Sequence, residues 1–327
     1  MISIIVPTYN GSKKIGHCLD ALICQKYEGE YEIIVVNDGS KDDTSQVVSR
    51  YPKARLVEQA NQGPAAARNH GARLAGGEII LFTDDDCVPE SDWIAEMVRP
   101  FQEEGIVGVK GRYLTRQKEI AARFVQLEYE DKYDYMQSHP YIDFIDTYSA
   151  AFKKDVFWEA GGYDCRFPVA CAEDVDLSFR LSQKGHRMVY NPQAKVYHTH
   201  PNRVWDYLQK KRKFAYWRME AIRKTPSKAM KDSHTPQTMK LQLAFPPSVF
   251  LTLAGCVVLP EMFYLLALLL LLFGLTSIPF TLKALQKDAG VGLCSPFLLF
   301  LRASAQFLGI SSWMLAFIIM RKKRNVE

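Results

Sequence analysis

Forty residues from Leu243 to Leu282 carry one charge, Glu261, and no other stretch of this 327-residue chain narrows the choice of folds as far. Within it, Met262 to Leu282 is long enough to cross a bilayer, since twenty-one residues rising ~1.5 Å each reach about 31 Å. Leu265 to Phe273 has no polar face, which argues against a buried helix of a soluble domain. The upstream part ends near Leu259, opens on Pro246-Pro247, and reads as a second span or as an interfacial or re-entrant helix. A third apolar stretch, Pro296 to Met320, contains Arg302 and runs into Arg321-Lys322-Lys323-Arg324.

Charge is distributed as unevenly as hydropathy. Arg203 to Lys231 holds ten Lys and Arg against Asp206 and Glu220, a local +8 in a chain whose formal total is +5. A total this small gives no reason to expect nucleic acid as a partner. Trp205, Tyr207, Phe214, Tyr216 and Trp217 are interleaved with the cations just before the apolar stretches, the composition of a helix lying at a membrane surface among lipid headgroups. The positive-inside rule puts both the basic block and the Arg321–Arg324 cluster in the cytoplasm, which requires an even number of crossings. Two spans with Phe245–Leu259 at the interface satisfy it; three spans are the alternative.

Up to about Thr199 the pattern is different. β-Branched runs at Ile2–Val6, Glu32–Val36, Arg55–Val57 and Glu78–Thr83 alternate with helical stretches at Ile15–Gln25, Thr44–Tyr51 and Ala65–Leu74. Continuous Ile/Val runs joined through helices predict an α/β domain on a parallel sheet. A composition of 48% hydrophobic and 24% charged residues excludes disorder and collagen-like repeats. The seven cysteines are far apart, without CxxC or zinc-ligand spacing, and read as reduced thiols of a cytosolic compartment. The chain opens directly on Ile2–Val6 with no basic leader, so export of this half is not expected.

Two of the strands end in acidic clusters, Asn37-Asp38-Gly39-Ser40 and Asp84-Asp85-Asp86, and the carboxyl ends of parallel strands face one crevice. Three consecutive carboxylates repel one another, and a hard divalent cation, Mg²⁺ or Mn²⁺, is the expected compensator. A solvated acidic turn is the bland reading of the same triplet. Glu173-Asp174 opens a helix whose buried side carries Val175, Leu177, Phe179 and Leu181. Helix capping accounts for one of the two carboxylates and leaves the other available as a general base. His198, at the end of the strand Ala194–Tyr197, is either a polar edge residue or a further metal ligand. The aromatic-rich stretch from Arg116 to Pro140 is a candidate acceptor lid or ordinary packing.

Taken in order, Ile5-Val6-Pro7-Thr8-Tyr9-Asn10, Val36-Asn37-Asp38-Gly39-Ser40, Asn61-Gln62-Gly63-Pro64-Ala65-Ala66-Ala67-Arg68-Asn69, Asp84-Asp85-Asp86, Glu173-Asp174 and His198 resemble the inverting family 2 glycosyltransferases. The resemblance covers about residues 2–200 and implies a GT-A fold with a Rossmann-like mixed sheet, followed here by a C-terminal transmembrane helical region. It implies that Pro7, Tyr9 and Asp38 line the nucleotide-base pocket and that Arg68 lies near the nucleotide. Asp84 would meet the ribose or metal, Asp86 the metal, with His198 as a possible further ligand, and Asp174 would be the base. Asp85, Glu173 and Arg212 complete the expected substrate-binding set. Processive synthases of the same superfamily carry QxxRW near Gln209-Lys210-Lys211-Arg212-Lys213, where Lys213 stands in place of the tryptophan.

The expected organisation is a catalytic domain at 1–202, a basic interface helix region at 203–240 and two to three hydrophobic helices at 241–327. The expected activity is metal-dependent transfer of one sugar from a nucleoside diphosphate sugar, a UDP-sugar first, to a lipid-linked or glycan acceptor. The expected place is the cell membrane, multi-pass, with the catalytic domain cytoplasmic. A processive polysaccharide synthase, a non-catalytic nucleotide-sugar-binding scaffold and a nucleotidyltransferase on a similar sheet are the rivals.

Overall fold

The computed structural model describes residues 1–167, 171–229 and 231–324, with side chains to Ile319. The chain divides into two units, Met1–Arg116 with Tyr133–Thr199 and Asp232–His234, and Gln117–Lys132 with His200–Lys231 and Thr235–Glu327.

The first unit is built in the order β1 (Ile2–Thr8), α1 (Ile15–Ile23), β2 (Tyr31–Asn37), α2 (Thr44–Val48), β3 (Ala54–Glu58), α3 (Pro64–Leu74), β4 (Ile79–Phe82), β5 (Cys87–Pro89) and α4 (Trp93–Val98). It continues through β6 (Ile106–Leu114), α5 (Ile120–Gln137), β7 (Ala150–Lys153), α6 (Lys154–Glu159), α7 (Glu173–Gln183) and β8 (Arg187–His198). The strands form one mixed sheet in the order β3-β2-β1-β4-β7-β6-β8-β5. Its β3-β2-β1-β4 half is parallel, with Thr8 opposite Asn37, Asn37 opposite Glu58 and Ile5 opposite Phe82. All seven residues of β1 are buried, which explains why its Ile/Val run reads without alternation. Each such side chain removed from water stabilises by about 1.5–3 kcal/mol. The other half is where the sheet departs from a simple parallel one: β7 runs antiparallel to β4 and β6, and β5 antiparallel to β8. That last pairing sets Cys87 opposite His198, a juxtaposition no local pattern announces.

The second unit holds α8 (Val204–Lys224), α9 (Gln237–Gln242), α10 (Phe245–Gly255), α11 (Met262–Lys287) and α12 (Ala289–Arg324), together with the first part of α5. Its core gathers Phe124 and Leu127 of α5, Tyr207 of α8, Phe273 and Phe280 of α11, and Leu299 and Ala303 of α12. Among the described residues two helices are long and apolar enough to cross a membrane, Met262–Lys287 and Ala289–Ile319. Leu268, Leu271 and Leu275 of α11 and Leu315 and Ile318 of α12 are exposed, as lipid-facing residues would be. Helix α10 has 11 residues, about 16 Å of rise, too short to span. Helix α12 starts at Ala289 rather than near Pro296, because the Asp288 carboxylate accepts the Val291 backbone N–H at 3.1 Å and caps it there. The side chains of Arg321–Arg324, expected on the cytoplasmic side, lie outside the described residues.

Candidate active site

The site is assembled at the carboxyl edge of the parallel strands. Asp38 follows β2, is 3% exposed, and accepts hydrogen bonds from Gln59 Nε2 (2.7 Å) and from the backbone N–H groups of Gln62 and Gly63 (both 2.8 Å). Asn61 Nδ2 closes the same loop by donating to the Asp38 carbonyl at 3.0 Å. Gly63 sits at φ 90° immediately before Pro64, the first residue of α3, a left-handed position that a side chain would strain. Asp38 therefore fastens the start of the helix that carries Arg68. Asn10, also left-handed at φ 51°, donates its N–H to Ser40 Oγ (2.8 Å) and accepts the Lys41 N–H (2.8 Å), tying the turn after β1 to the turn after β2. Pro7 is buried in β1 and Tyr9 is 46% exposed beyond its end.

The three consecutive aspartates find their partners in different elements. Asp84 accepts from Arg68 Nη2 at 2.7 Å. Asp85 turns inward, accepting Thr8 Oγ1 at 2.6 Å and pairing with Lys14 Nζ at 2.9 Å. Burial nevertheless raises the Asp85 carboxyl above its ordinary value, Lys14 and Thr8 opposing. Asp86 lies 3.5 Å from His198 Nδ1 and 3.8 Å from Lys14 Nζ. Arg68 of α3 and Lys14 of the loop before α1 thus relieve part of the repulsion expected within the triplet.

A narrower metal site remains. One ligand atom from each of Asp86, Cys87 and His198 lies within 4.8 Å of the others. The carboxylate and the imidazole suit Mg²⁺ or Mn²⁺. Burial, with Asp86 and Asp84 adding, pushes the Cys87 thiol well up, so it offers no ready thiolate. The Tyr113 ring stacks on His198 at 4.5 Å and fixes the plane of the imidazole. Asp84, engaged by Arg68, is not part of this cluster.

Arg68 is the hub on the opposite side. It is 2% exposed, and its second guanidinium nitrogen donates to Glu173 Oε1 at 3.0 Å, so that it links the end of β4 to the start of α7. Its pKa is raised because Asp84 and Glu173 outweigh burial. The other oxygen of Glu173 accepts the backbone N–H groups of Cys171 (2.8 Å) and Ala172 (3.1 Å), so Glu173 is the helix-starting carboxylate. Asp174 is half-buried, accepts the Val175 N–H at 2.7 Å, and is pushed up to about 8 by burial, then by the charges of Glu173 and Asp146. Ser178 holds this turn in place, donating to the Asp174 carbonyl at 2.7 Å and accepting the Ile145 N–H at 2.9 Å. Asp146, one residue further, pairs with Lys110, a fully buried lysine whose Nζ also donates to Tyr148 Oη at 3.1 Å. Burial lowers the Lys110 pKa, and the charges of Asp146 and Asp174 oppose that shift.

The structure therefore brings Asp38, Asp84, Asp85, Asp86, Arg68, Glu173, Asp174 and His198 into the first unit. Arg212 belongs to the second, where its Nη2 reaches Ser312 Oγ at 3.4 Å. Lys14, Lys110 and Asp146 escaped the sequence reading, and Thr8 was given no role in it. The signal that could have found Lys110 is a lone charge at the end of the run Ile106-Val107-Gly108-Val109.

Comparison with known proteins follows from this geometry. Residues 3–161 match the family model "Glycosyl transferase family 2". The chain is similar to glycosyltransferase AglE of Haloferax volcanii, 35% identical over 34% of this chain and 38% of that protein. It is also similar to the glucosyl-dolichyl phosphate glucuronosyltransferase of the same organism, 26% identical over 60% of this chain and 68% of that protein. The chain thus spans about two-fifths of the former relative and about two-thirds of the latter. Among solved structures, the mannosyltransferase PcManGT from Pyrobaculum calidifontis, in complex with GDP-Man and Mn²⁺, has a TM-score of 0.60 at 23% identity over 95% of this chain and 86% of that one. At this identity the likeness concerns the fold.

Proposed function

We propose, for a chain whose residues 3–161 make it a family 2 glycosyltransferase of GT-A fold, that it transfers one sugar from a nucleoside diphosphate sugar to a lipid-linked acceptor hydroxyl in a single inverting displacement. The observation that carries the proposal is Arg68, which binds Asp84 of the strand-end triplet and Glu173 of α7 at once and so holds donor-side and acceptor-side carboxylates in one site.

Asp174 takes the proton from the attacking hydroxyl, which its raised pKa favours. Pro7, Tyr9 and the stapled Asp38 loop receive the nucleotide base, that of a UDP-sugar in the first instance, while Asp85 with Lys14 keeps the strand end rigid. Asp86 and His198 would hold Mg²⁺ or Mn²⁺, which when bound supplies positive charge to the departing diphosphate. The glucosyl-dolichyl phosphate in the name of one relative supports an acceptor on a lipid carrier. So do the two long apolar helices, which we read as crossing the cell membrane with the first unit in the cytoplasm. A processive synthase is the second reading, favoured by likeness to poly-β-1,6-N-acetyl-D-glucosamine synthase of Staphylococcus aureus, 28% identical over 59% of this chain. Lys213 in the place of a signature tryptophan stands against it.

The test is a panel of nucleotide sugars given to the full chain in detergent with polyprenyl-phosphate-linked acceptors. Release of nucleoside diphosphate with one added sugar, abolished by EDTA and lost in Asp86→Ala, is the expected result. Pyrophosphate release, a product ladder or turnover indifferent to EDTA would overturn it.

A further inference from the structure

Lys110 has no part in the chemistry proposed above. It lies in the middle of the mixed sheet, opposite Ala150 of β7 and Tyr190 of β8, and is 0% exposed. Its ammonium is enclosed by rings, with Nζ 4.8 Å from the centroid of Tyr148, 5.4 Å from that of Phe144 and 5.8 Å from that of Tyr133. A lysine in such a place gives up its hydration, and apolar side chains of similar volume often replace a buried ion pair with no loss of stability. Stability alone therefore gives little reason for a cation inside β6.

The bonds of Lys110 lead to both halves of the site. On one side Nζ pairs with Asp146. The residue before it, Ile145, donates its backbone N–H to Ser178 Oγ at 2.9 Å, and the same hydroxyl donates to the Asp174 carbonyl at 2.7 Å. The buried pair thus stands one residue from the link that holds the Asp174 turn. On the other side Nζ donates to Tyr148 Oη at 3.1 Å. That hydroxyl is 2.6 Å from Tyr133 Oη, which accepts the Tyr113 backbone N–H at 2.8 Å. The ring of Tyr148 stacks on Tyr113 with centroids 3.3 Å apart, and Tyr113 stacks on His198 at 4.5 Å, the planes 16° and 19° from parallel. Three rings run as a column from the lysine to the imidazole.

We infer that Lys110 is a positioning residue for both halves of the site: through Asp146 it holds the turn of Asp174, and through Tyr148 and Tyr113 it orients the imidazole of His198. One buried point then keeps the base on α7 and the metal ligand on β8 in register, where a misplacement of about 1 Å costs about 10²-fold in rate. The inference rests on the readings of Asp174 as the base and of Asp86 with His198 as metal ligands. The rival role for Lys110 is simple neutralisation of Asp146, which makes the opposite prediction for a variant that lacks both charges.

The test uses the full chain in detergent, with Mn²⁺ affinity followed by electron paramagnetic resonance in the absence of nucleotide sugar, and kcat and KM measured at saturating Mn²⁺. Lys110→Met/Asp146→Asn strands no charge and is expected to keep the elution volume and circular dichroism of the parent. It should nevertheless bind Mn²⁺ about tenfold more weakly and lose about 10²-fold in kcat, with the donor KM unchanged. Tyr148→Phe removes one oxygen and leaves the buried pair in place, so it carries the test with little risk to the fold. It should weaken Mn²⁺ binding by about two- to tenfold, the worth of one neutral hydrogen bond, and leave the pH dependence of kcat/KM where it was. Parental Mn²⁺ affinity and kcat in the double variant, or parental Mn²⁺ affinity in Tyr148→Phe, would overturn the inference. A parent chain that binds no Mn²⁺ would overturn the reading of Asp86 and His198 and the inference with it, so the two failures are told apart by the parent alone.

Discussion

Replacing Asp174 by Asn should make the protein inactive and more stable at once. The carboxyl sits at about 8 in the folded chain against 3.8 for an ordinary aspartate. An acid whose pKa is raised by folding takes up a proton as the chain folds between these values, so stability is full below about pH 4 and drains away as the pH rises through about 8. At pH 7 about three units separate the solution from the unfolded pKa, an upper bound of about 4 kcal/mol at ~1.4 kcal/mol per unit. Asp174 is half-buried, and solvent screening reduces this to about 1–2 kcal/mol. Asn keeps an oxygen for the Val175 N–H and carries no charge beside Glu173 and Asp146. The variant should therefore melt higher by roughly 3–6 °C at pH 8 and by almost nothing at pH 4, while turnover drops by about 10²–10⁴. Thermal melts of the full chain in detergent across that pH range, with nucleoside diphosphate release from the same samples, measure both. A pH-independent change in melting temperature, or a variant less stable at pH 8, would show that the carboxylate supports the fold and is not held at a cost for chemistry.

Arg68→Met should be among the most damaging single changes in the first unit, at about 3–5 kcal/mol, because it strands Glu173 in the interior and frees Asp84; denaturant melts should show it, and Arg68→Lys, which cannot bridge both carboxylates in one plane, should recover only part. Asp146→Asn removes a like charge beside Asp174, so the acid limb of kcat/KM, expected near pH 8 in the parent, should move to lower pH; a limb that stays in place would separate Asp146 from the base. Asp86→Ala and His198→Ala should each reduce Mn²⁺ affinity, followed by electron paramagnetic resonance, by more than the roughly 10–100-fold that loss of an outer-shell partner costs, whereas Cys87→Ser should leave it nearly unchanged.

How much of this was legible before the structure depends on whether the information is local. The β-branched run Ile2–Val6 marks β1 to within two residues of its end at Thr8, and parallel pairing then carries Asp38 and Asp84 to one edge whatever the details. The helix start at Glu173 was equally local, a pair of carboxylates before an amphipathic run. What stayed hidden is partnership across long separations. Arg68 and Glu173 are 105 residues apart, Thr8 and Asp85 are 77 apart, and Arg302 and Glu128 are 174 apart. No spacing rule links such residues, and Glu128 attracted no notice because one glutamate on an aromatic helix is ordinary. The aspartate triplet shows how this misleads. Read along the chain, its three charges crowd together and call for one cation; read in the fold, Asp84, Asp85 and Asp86 face a guanidinium, an ammonium and an imidazole from separate elements. Neutralising two of the three internally leaves Asp86 as the member of the triplet whose first neighbour is an imidazole able to share a metal. A substitution at Lys14 should therefore disturb the metal site, because it removes the ammonium that lies 2.9 Å from Asp85 and 3.8 Å from Asp86.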